Sequence, residues 1–245
     1  MQKHNFNKQT VTIAQMFDDI AHRYDFLNHF FSLHIDRIWR RKAVNELRGQ
    51  TLDHVLDVAT GTADLALTIQ KWLQPGHITG VDISEGMLAI GRQKIEKKGL
   101  EQQISLQYGN SEALSFDNHT FNAVTVAFGV RNFEHLNKGL GEMFRVLKTG
   151  GKLVVLEFSI SQNRIFRSVF HFYFFRILPL VGRMVSKEAH AYNYLPDSVQ
   201  SFPHGAEFRN ILENCGFREV KIRSLTFGIA NIYTGIKIED GVSTI

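Results

Sequence analysis

The chain has 245 residues, 44% hydrophobic and 21% charged, average globular usage that excludes a disordered, collagenous or membrane-embedded protein. Lys and Arg exceed Asp and Glu by four, a mild basic excess compatible with nucleic acid, an anionic membrane surface or an acidic ligand. A single Cys215 excludes an internal disulfide and a thiolate zinc site, and MQKHNFNKQT lacks the apolar core of a signal peptide, so the expected location is cytoplasmic.

In chain order, Phe17, Ile20, Ala21, Tyr24 and Leu27 form one helical stripe and Trp39, Ala43 and Leu47 a second, both ahead of the first strand. From Val55 to Phe158, short apolar runs alternate with helical periods, the pattern of a parallel sheet covered by crossover helices. The predicted strands are Val55 to Ala59, Ile78 to Asp82, Ile104 to Tyr108, Ala123 to Phe128 and Lys152 to Phe158. The helical stripes between them are Leu65, Ile69 and Trp72, then Met87, Leu88, Gly91 and Ile95, then Leu136, Leu140, Met143 and Leu147. Phe208, Ile211, Leu212 and Cys215 predict a helix closed by Gly216, followed by a hairpin of Val220 to Phe227 and Ile229 to Lys237. The expected architecture is one α/β domain, mostly parallel with a C-terminal antiparallel hairpin. It divides into an N-terminal helical extension (1–50), a core (51–159), an insertion (160–203) and a C-terminal helix and hairpin (204–245).

Strand one ends in Asp57-Val58-Ala59-Thr60-Gly61-Thr62-Ala63-Asp64 and runs straight into a helix, which turns backbone N–H groups and a helix N-terminus toward a ligand. Asp82 lies 21 residues past Gly61 at the end of strand two, the spacing at which a carboxylate takes both hydroxyls of a ribose. Ala59 and Ala63 stand where a dinucleotide site wants glycine. Asp57 would repel a pyrophosphate but suits a ligand bearing an ammonium group, as S-adenosylmethionine does. Strand three ends in Gly109-Asn110-Ser111-Glu112, which places an amide and a hydroxyl beside the adenine, with Ile83 and Met87 as apolar faces.

Asp57 to Asp64, Asp82 to Leu88 and Asn110 to Leu114 resemble the class I methyltransferases, whose fold is Rossmann-like. More narrowly, Phe17 to Asn28 running to Ser32 and Trp39, the segment Ala127-Phe128-Gly129-Val130-Arg131-Asn132, and Arg145 to Gly151 running to Glu157-Phe158-Ser159 resemble the ubiquinone/menaquinone biosynthesis C-methyltransferases. The resemblance spans nearly the whole chain. It assigns Thr62, Asp82, Asn110 and Ser111 to S-adenosyl-L-methionine, beside Asp57 and Gly61 of the first strand's turn; Tyr24, Asp25 and Asn28 on the N-terminal helix are placed to close over the substrate ring, with core packing the alternative for Tyr24, and Asn132 in the matched segment is expected at the substrate. The resemblance implies C-methylation of a polyprenylated quinol ring, demethylmenaquinol to menaquinol, with a ubiquinone-pathway quinol or another small phenolic or lipid substrate as alternatives and RNA methylation as a distant one. Ala127 stands where ubiquinone-competent members often have Ser, which points away from dual specificity.

Such a reaction needs an electron-rich ring in line with the sulfonium methyl, stabilisation of a phenolate, and neither metal nor covalent nucleophile. Arg131, at the carboxyl edge of strand four, is the candidate cation; its structural alternative is pairing with Glu134 or capping a loop. From Asn163 to Lys187 run Arg164, Arg167, Arg176, Arg183 and Lys187 among many aromatics with no acidic residue. This stretch is too interrupted to span a bilayer and suits an interfacial helix on the inner face of a membrane, or a lid that Tyr192 to Pro196 completes. Strand four lacks the Asn/Asp-Pro-Pro-aromatic turn of base-amino methylation, so no nucleic acid is expected; a homodimer is compatible with these features.

Overall fold

A computed structural model describes residues 10–32, 34–161 and 189–238. Two helices, α1 (Thr10–Phe31) and α2 (Ile35–Asn45), precede β1 (His54–Val58). Then follow α3 (Asp64–Leu73), β2 (His77–Asp82), α4 (Glu85–Glu96), β3 (Ile104–Tyr108), β4 (Phe121–Ala127), α5 (Leu136–Val146) and β5 (Leu147–Phe158). After the 163–187 stretch, which lies outside the described residues, come α6 (Ala189–Ser201), α7 (Ala206–Asn214), β6 (Arg218–Leu225) and β7 (Ala230–Ile236). No helix among the described residues is long and apolar enough to cross a membrane.

The strands form one seven-stranded sheet in the order β3-β2-β1-β4-β5-β7-β6. Strands β1 to β5 pair in parallel, and β7 runs antiparallel between β5 and β6. Residues of β1 alternate between two cores. Val55 joins Trp39, Ala43, Leu65, Ile69 and Ile78 on the face covered by α2 and α3. Leu56 and Val58 join Leu140, Met143, Phe208 and Leu212 on the face covered by α5 and α7. Covering both faces makes the central strands read as continuous apolar runs, and each fully buried Leu, Ile or Phe contributes about 1.5–3 kcal/mol.

The strand order reverses between β1 and β4, the point where ligands bind outside the carboxyl ends of such a sheet. Two expected strands stop one residue early at this edge, because Ala59 (φ 51°) and Phe128 (φ 58°) turn into the left-handed region. That region costs a residue bearing a Cβ and is commonest at functional turns. The space between the turns is tight: a Cβ on Gly129 would stand 2.6 Å from that of Ala59.

Three further differences from expectation have physical causes. The strand expected from Lys152 begins at Leu147, which pairs with Phe121 ahead of a register shift. The strand expected to reach Phe227 ends at Leu225, where a single 3-10 turn leaves Phe227 exposed. Trp72, expected on the buried stripe of α3, lies in its last turn at the surface, where the Arg41 guanidinium covers it at 4.0 Å.

Candidate active site

The turn after β1 is held by its own carboxylate. Asp57 is buried, and its two oxygens accept the Thr60 hydroxyl at 2.7 Å and the Thr125 hydroxyl at 2.8 Å. Burial pushes its pKa up to about 6, against the pull of those hydrogen bonds. The turn takes positive φ at Ala59, Gly61 and Ala63. Gly61 N–H then donates to one Asp82 oxygen at 2.8 Å, while Ser84 N–H donates to the other at 2.9 Å. Asp82 is thereby fixed at the end of β2, and with a weaker pull from Ile83 N–H it still keeps acceptor capacity for a ligand. Its pKa is also pushed up to about 6, mainly by burial.

One cleft of about 690 Å³, open to solvent, runs along this edge and is lined by Gly61, Asp82, Asn110 and Ser111 at one part and by Phe128, Asn132 and Phe133 at another. Ile83 and the buried Met87 also line it, and Ile13 and Phe17 of α1 close the wall. Asn110 accepts Glu112 N–H at 2.8 Å, which tightens the turn after β3. Glu112, for which the sequence suggests no role, ties that turn to the start of α5 through His135, with N–H and Nδ1 contacts of 2.8 and 2.9 Å.

Thr62 lies in an adjoining recess of about 370 Å³, lined also by Asp57, Gly61, Asp64 and Arg40, and receives Lys94 Nζ at 3.0 Å. Arg40 is a site residue that sequence reasoning missed. It is buried, paired with Asp36 and 3.3 Å from Asp64, and only its place next to Trp39 on the second stripe could have flagged it.

Arg131 does not line the cleft. It is 4% exposed; Nη1 donates to the Phe128 carbonyl and to Glu157 Oε1, the latter at 2.9 Å, and its backbone N–H meets Glu157 Oε2 at 3.3 Å. The partner is therefore Glu157 rather than Glu134, which lines the cleft instead. Burial raises the Glu157 pKa while Arg131 opposes the shift, and Arg131 Nε is buried without a partner. Next to it, Asn132 Oδ1 accepts the Tyr194 hydroxyl at 2.7 Å. Burial pushes the Tyr194 pKa up to about 12, so the phenol stays a donor. Tyr24, Asp25 and Asn28 are carried on α1, with side chains outside the described residues.

The sequence profile of the ubiE/COQ5 methyltransferase family matches residues 3–237. The chain belongs to that family. The methyltransferase is 47% identical over 233 residues to a Bacteroides fragilis protein named demethylmenaquinone methyltransferase, with 95% of each chain covered. It is 49% identical over 226 residues to a Geobacter sulfurreducens protein named ubiquinone/menaquinone biosynthesis C-methyltransferase UbiE, covering 92% of this chain and 88% of that one.

Solved structures match its fold. A chain from the Haloferax volcanii complex between the Trm112 methyltransferase activator and a methyltransferase gives a TM-score of 0.67 at 16% identity, covering 91% of this chain and 98% of that one. Phosphoethanolamine N-methyltransferase 2 of Haemonchus contortus, solved with S-adenosyl-L-methionine, gives 0.61 at 14% identity, covering 82% of this chain and 52% of that one. The methyltransferase thus has the class I Rossmann-like fold expected from its strand-end motifs.

Proposed function

We propose that this methyltransferase transfers a methyl group from S-adenosyl-L-methionine to a ring carbon of a polyprenylated quinol, converting demethylmenaquinol to menaquinol. The observation that carries the reading is 47% identity over 95% of both chains to a relative named demethylmenaquinone methyltransferase. The site's own chemistry fits the cofactor. Asp82 has acceptor capacity for a ribose, Asn110, Ser111, Ile83 and Met87 border the space for an adenine, and the recess between Arg40 and Asp57 offers both signs of charge to a zwitterionic end. When bound, S-adenosylmethionine supplies the methyl as an electrophile.

The chain's residues handle the other partner. Phe128 and Phe133 offer apolar surface to the ring and exclude water from it. Because Tyr194 occupies Asn132 Oδ1, the Asn132 amide group is left to donate toward a ring oxygen as negative charge develops there. Arg131 is a positioning residue that also favours the phenolate: it ties Phe128 to Glu157 around the turn presenting Asn132 and places a fixed cation beside it. The 163–187 stretch holds the enzyme on the cytoplasmic face of the membrane, where a polyprenyl tail resides.

The test is direct. Purified protein, S-adenosylmethionine and a short-tailed demethylmenaquinol should give a product heavier by one methylene, with the new methyl on the naphthoquinol ring. The benzoquinol of the ubiquinone pathway, assayed in parallel, should turn over more slowly. Absence of methylation of either ring overturns the reading.

A further inference from the structure

Helix α2 has two unlike sides. Inward, Trp39 packs on Phe128 and Phe158 at ring distances of 6.2 and 6.1 Å, and Arg40 lines the cofactor recess. Outward, Ile38 is 54% exposed and Trp72 of α3 38%, two of the five large hydrophobic side chains exposed among the described residues. Around them Arg41, Lys42, Arg48 and Arg223 line a groove of about 700 Å³. The acidic groups of this helix and its end are engaged: Asp36 is buried against Arg40, and Glu46 receives Arg223 at 2.8 Å. Arg37 and Lys71, both exposed, extend the basic surface, with the Lys71 ammonium 5.8 Å from the Trp72 ring.

We infer that this α2–α3 face docks on the anionic headgroup layer of a phospholipid bilayer. An ordinary solvated face would carry the cations without Ile38 and Trp72 among them. Basic residues around a partly exposed tryptophan match an interface where one end of each side chain meets phosphate and the other meets hydrocarbon. A second copy of this chain, related by a two-fold axis, would set Arg41, Lys42 and Arg48 against their own copies. Nucleic acid would meet the same charges, but Arg41 covers one face of the Trp72 ring, which leaves a base less stacking area than a bare ring offers.

The inference rests on the polyprenylated substrate proposed above, and it names residues other than those of the 163–187 stretch. Contact through the outer side of α2 would seat the lipid layer one helix thickness from the recess that the inner side walls, so that a tail-bearing quinol is met where the enzyme is held.

The experiment floats the purified full-length protein with vesicles of phosphatidylcholine alone or mixed with phosphatidylglycerol, at low and high salt. Binding should require phosphatidylglycerol and fall with salt. The triple variant Arg41→Gln/Lys42→Gln/Arg48→Gln should weaken it roughly a hundredfold, from about 1 kcal/mol per cation near such a surface. Brominated phosphatidylglycerol should quench Trp72 while buried Trp39 stays bright, and Trp72→Phe should remove the quenching.

A second triple variant, Arg164→Gln/Arg167→Gln/Arg176→Gln, separates the two sets of residues. Loss of binding in the α2 variant supports the inference whatever the second does, whereas loss confined to the second overturns it. Wild type that ignores phosphatidylglycerol, or that binds an oligonucleotide in preference to vesicles, also overturns it. Turnover of a short-tailed, water-soluble quinol should be unchanged in the α2 variant. A protein that floats with vesicles but methylates no quinol refutes the proposed function and leaves the docking surface standing.

Discussion

At the scale of single residues, Asp82 couples the fold to the chemistry. Its pKa is raised to about 6 from an ordinary value of 3.8, so the folded protein holds this proton more tightly than the unfolded chain. Its contribution to stability is full below pH 3.8 and is lost as pH climbs through about 6. Ribose binding needs the ionised form and should run the other way. Calorimetry should show S-adenosylmethionine affinity rising between about pH 5 and 7, and Asp82→Asn should flatten the profile while reducing, not abolishing, the pH slope of stability, since Asp57 titrates in the same range. Asp82→Ala should cost on the order of 2–4 kcal/mol in cofactor affinity; an unchanged Kd removes Asp82 from the site. Tyr194 is tested more simply. Tyr194→Phe keeps the ring and deletes the hydrogen bond to Asn132, so kcat should fall several-fold while the cofactor Kd holds.

At the scale of elements, α1 is fastened to the cofactor wall by one carboxylate. Asp18 Oδ1 accepts the Ser84 hydroxyl at 2.6 Å and Gly86 N–H at 2.8 Å, while Ser84 Oγ caps α4 by accepting Met87 N–H at 3.1 Å. A carboxylate at the first turn of α4 is also favoured by the helix dipole. Asp18→Ala should free α1, whose Ile13 and Phe17 wall the cleft; amide exchange across α1 should speed up and cofactor Kd should rise about tenfold, from ~1–2 kcal/mol. The turn after β4 answers to Arg131. Arg131→Lys keeps a charge for Glu157 but loses the planar fork that also holds Phe128, so kcat should drop at least tenfold with little change in cofactor Kd. A normal kcat would reduce Arg131 to a loop brace.

These contacts mark where sequence reading stops. The places of Asp57, Asp82 and Asn110 were legible because a strand end fixes its neighbours locally, Asn132 came only with the family-like segment, and the apolar runs of β1, β2 and β4 were legible because both sheet faces are covered. Asp18 reaches Ser84 and Gly86 across 66 and 68 residues, Arg131 finds Glu157 rather than the nearby Glu134, and Arg40 meets Asp64 from another helix. Such partners depend on tertiary placement, and no local pattern encodes them. Trp72 fitted the helical stripe by period alone, although its turn lies where Arg41 and the surface meet it.

For the whole molecule, the antiparallel end of the sheet is joined to the parallel part that carries the site by the pairing of β5 with β7, and Lys237 ties the corner of that join to α5. It is buried just past β7, and its ammonium donates to the carbonyls of Phe144 at 2.8 Å, Arg145 at 3.1 Å and Leu147 at 2.9 Å. Those carbonyls end α5, where the helix dipole favours a cation, and the Phe144 ring lies 4.8 Å from the charge. The backbone clasps the same corner, with Gly150 N–H on the Lys237 carbonyl at 2.7 Å and Lys237 N–H on the Gly151 carbonyl at 3.0 Å. Lys237→Met fills similar volume but leaves the three carbonyls without that donor, a loss of about 2–4 kcal/mol. Chemical denaturation should show the midpoint falling with the slope unchanged if the sheet unfolds as one unit. If β6 and β7 release first, the slope should fall and two transitions should appear. Cofactor affinity in the folded variant should match wild type, because Lys237 touches the opposite end of α5 from the His135–Glu112 contact.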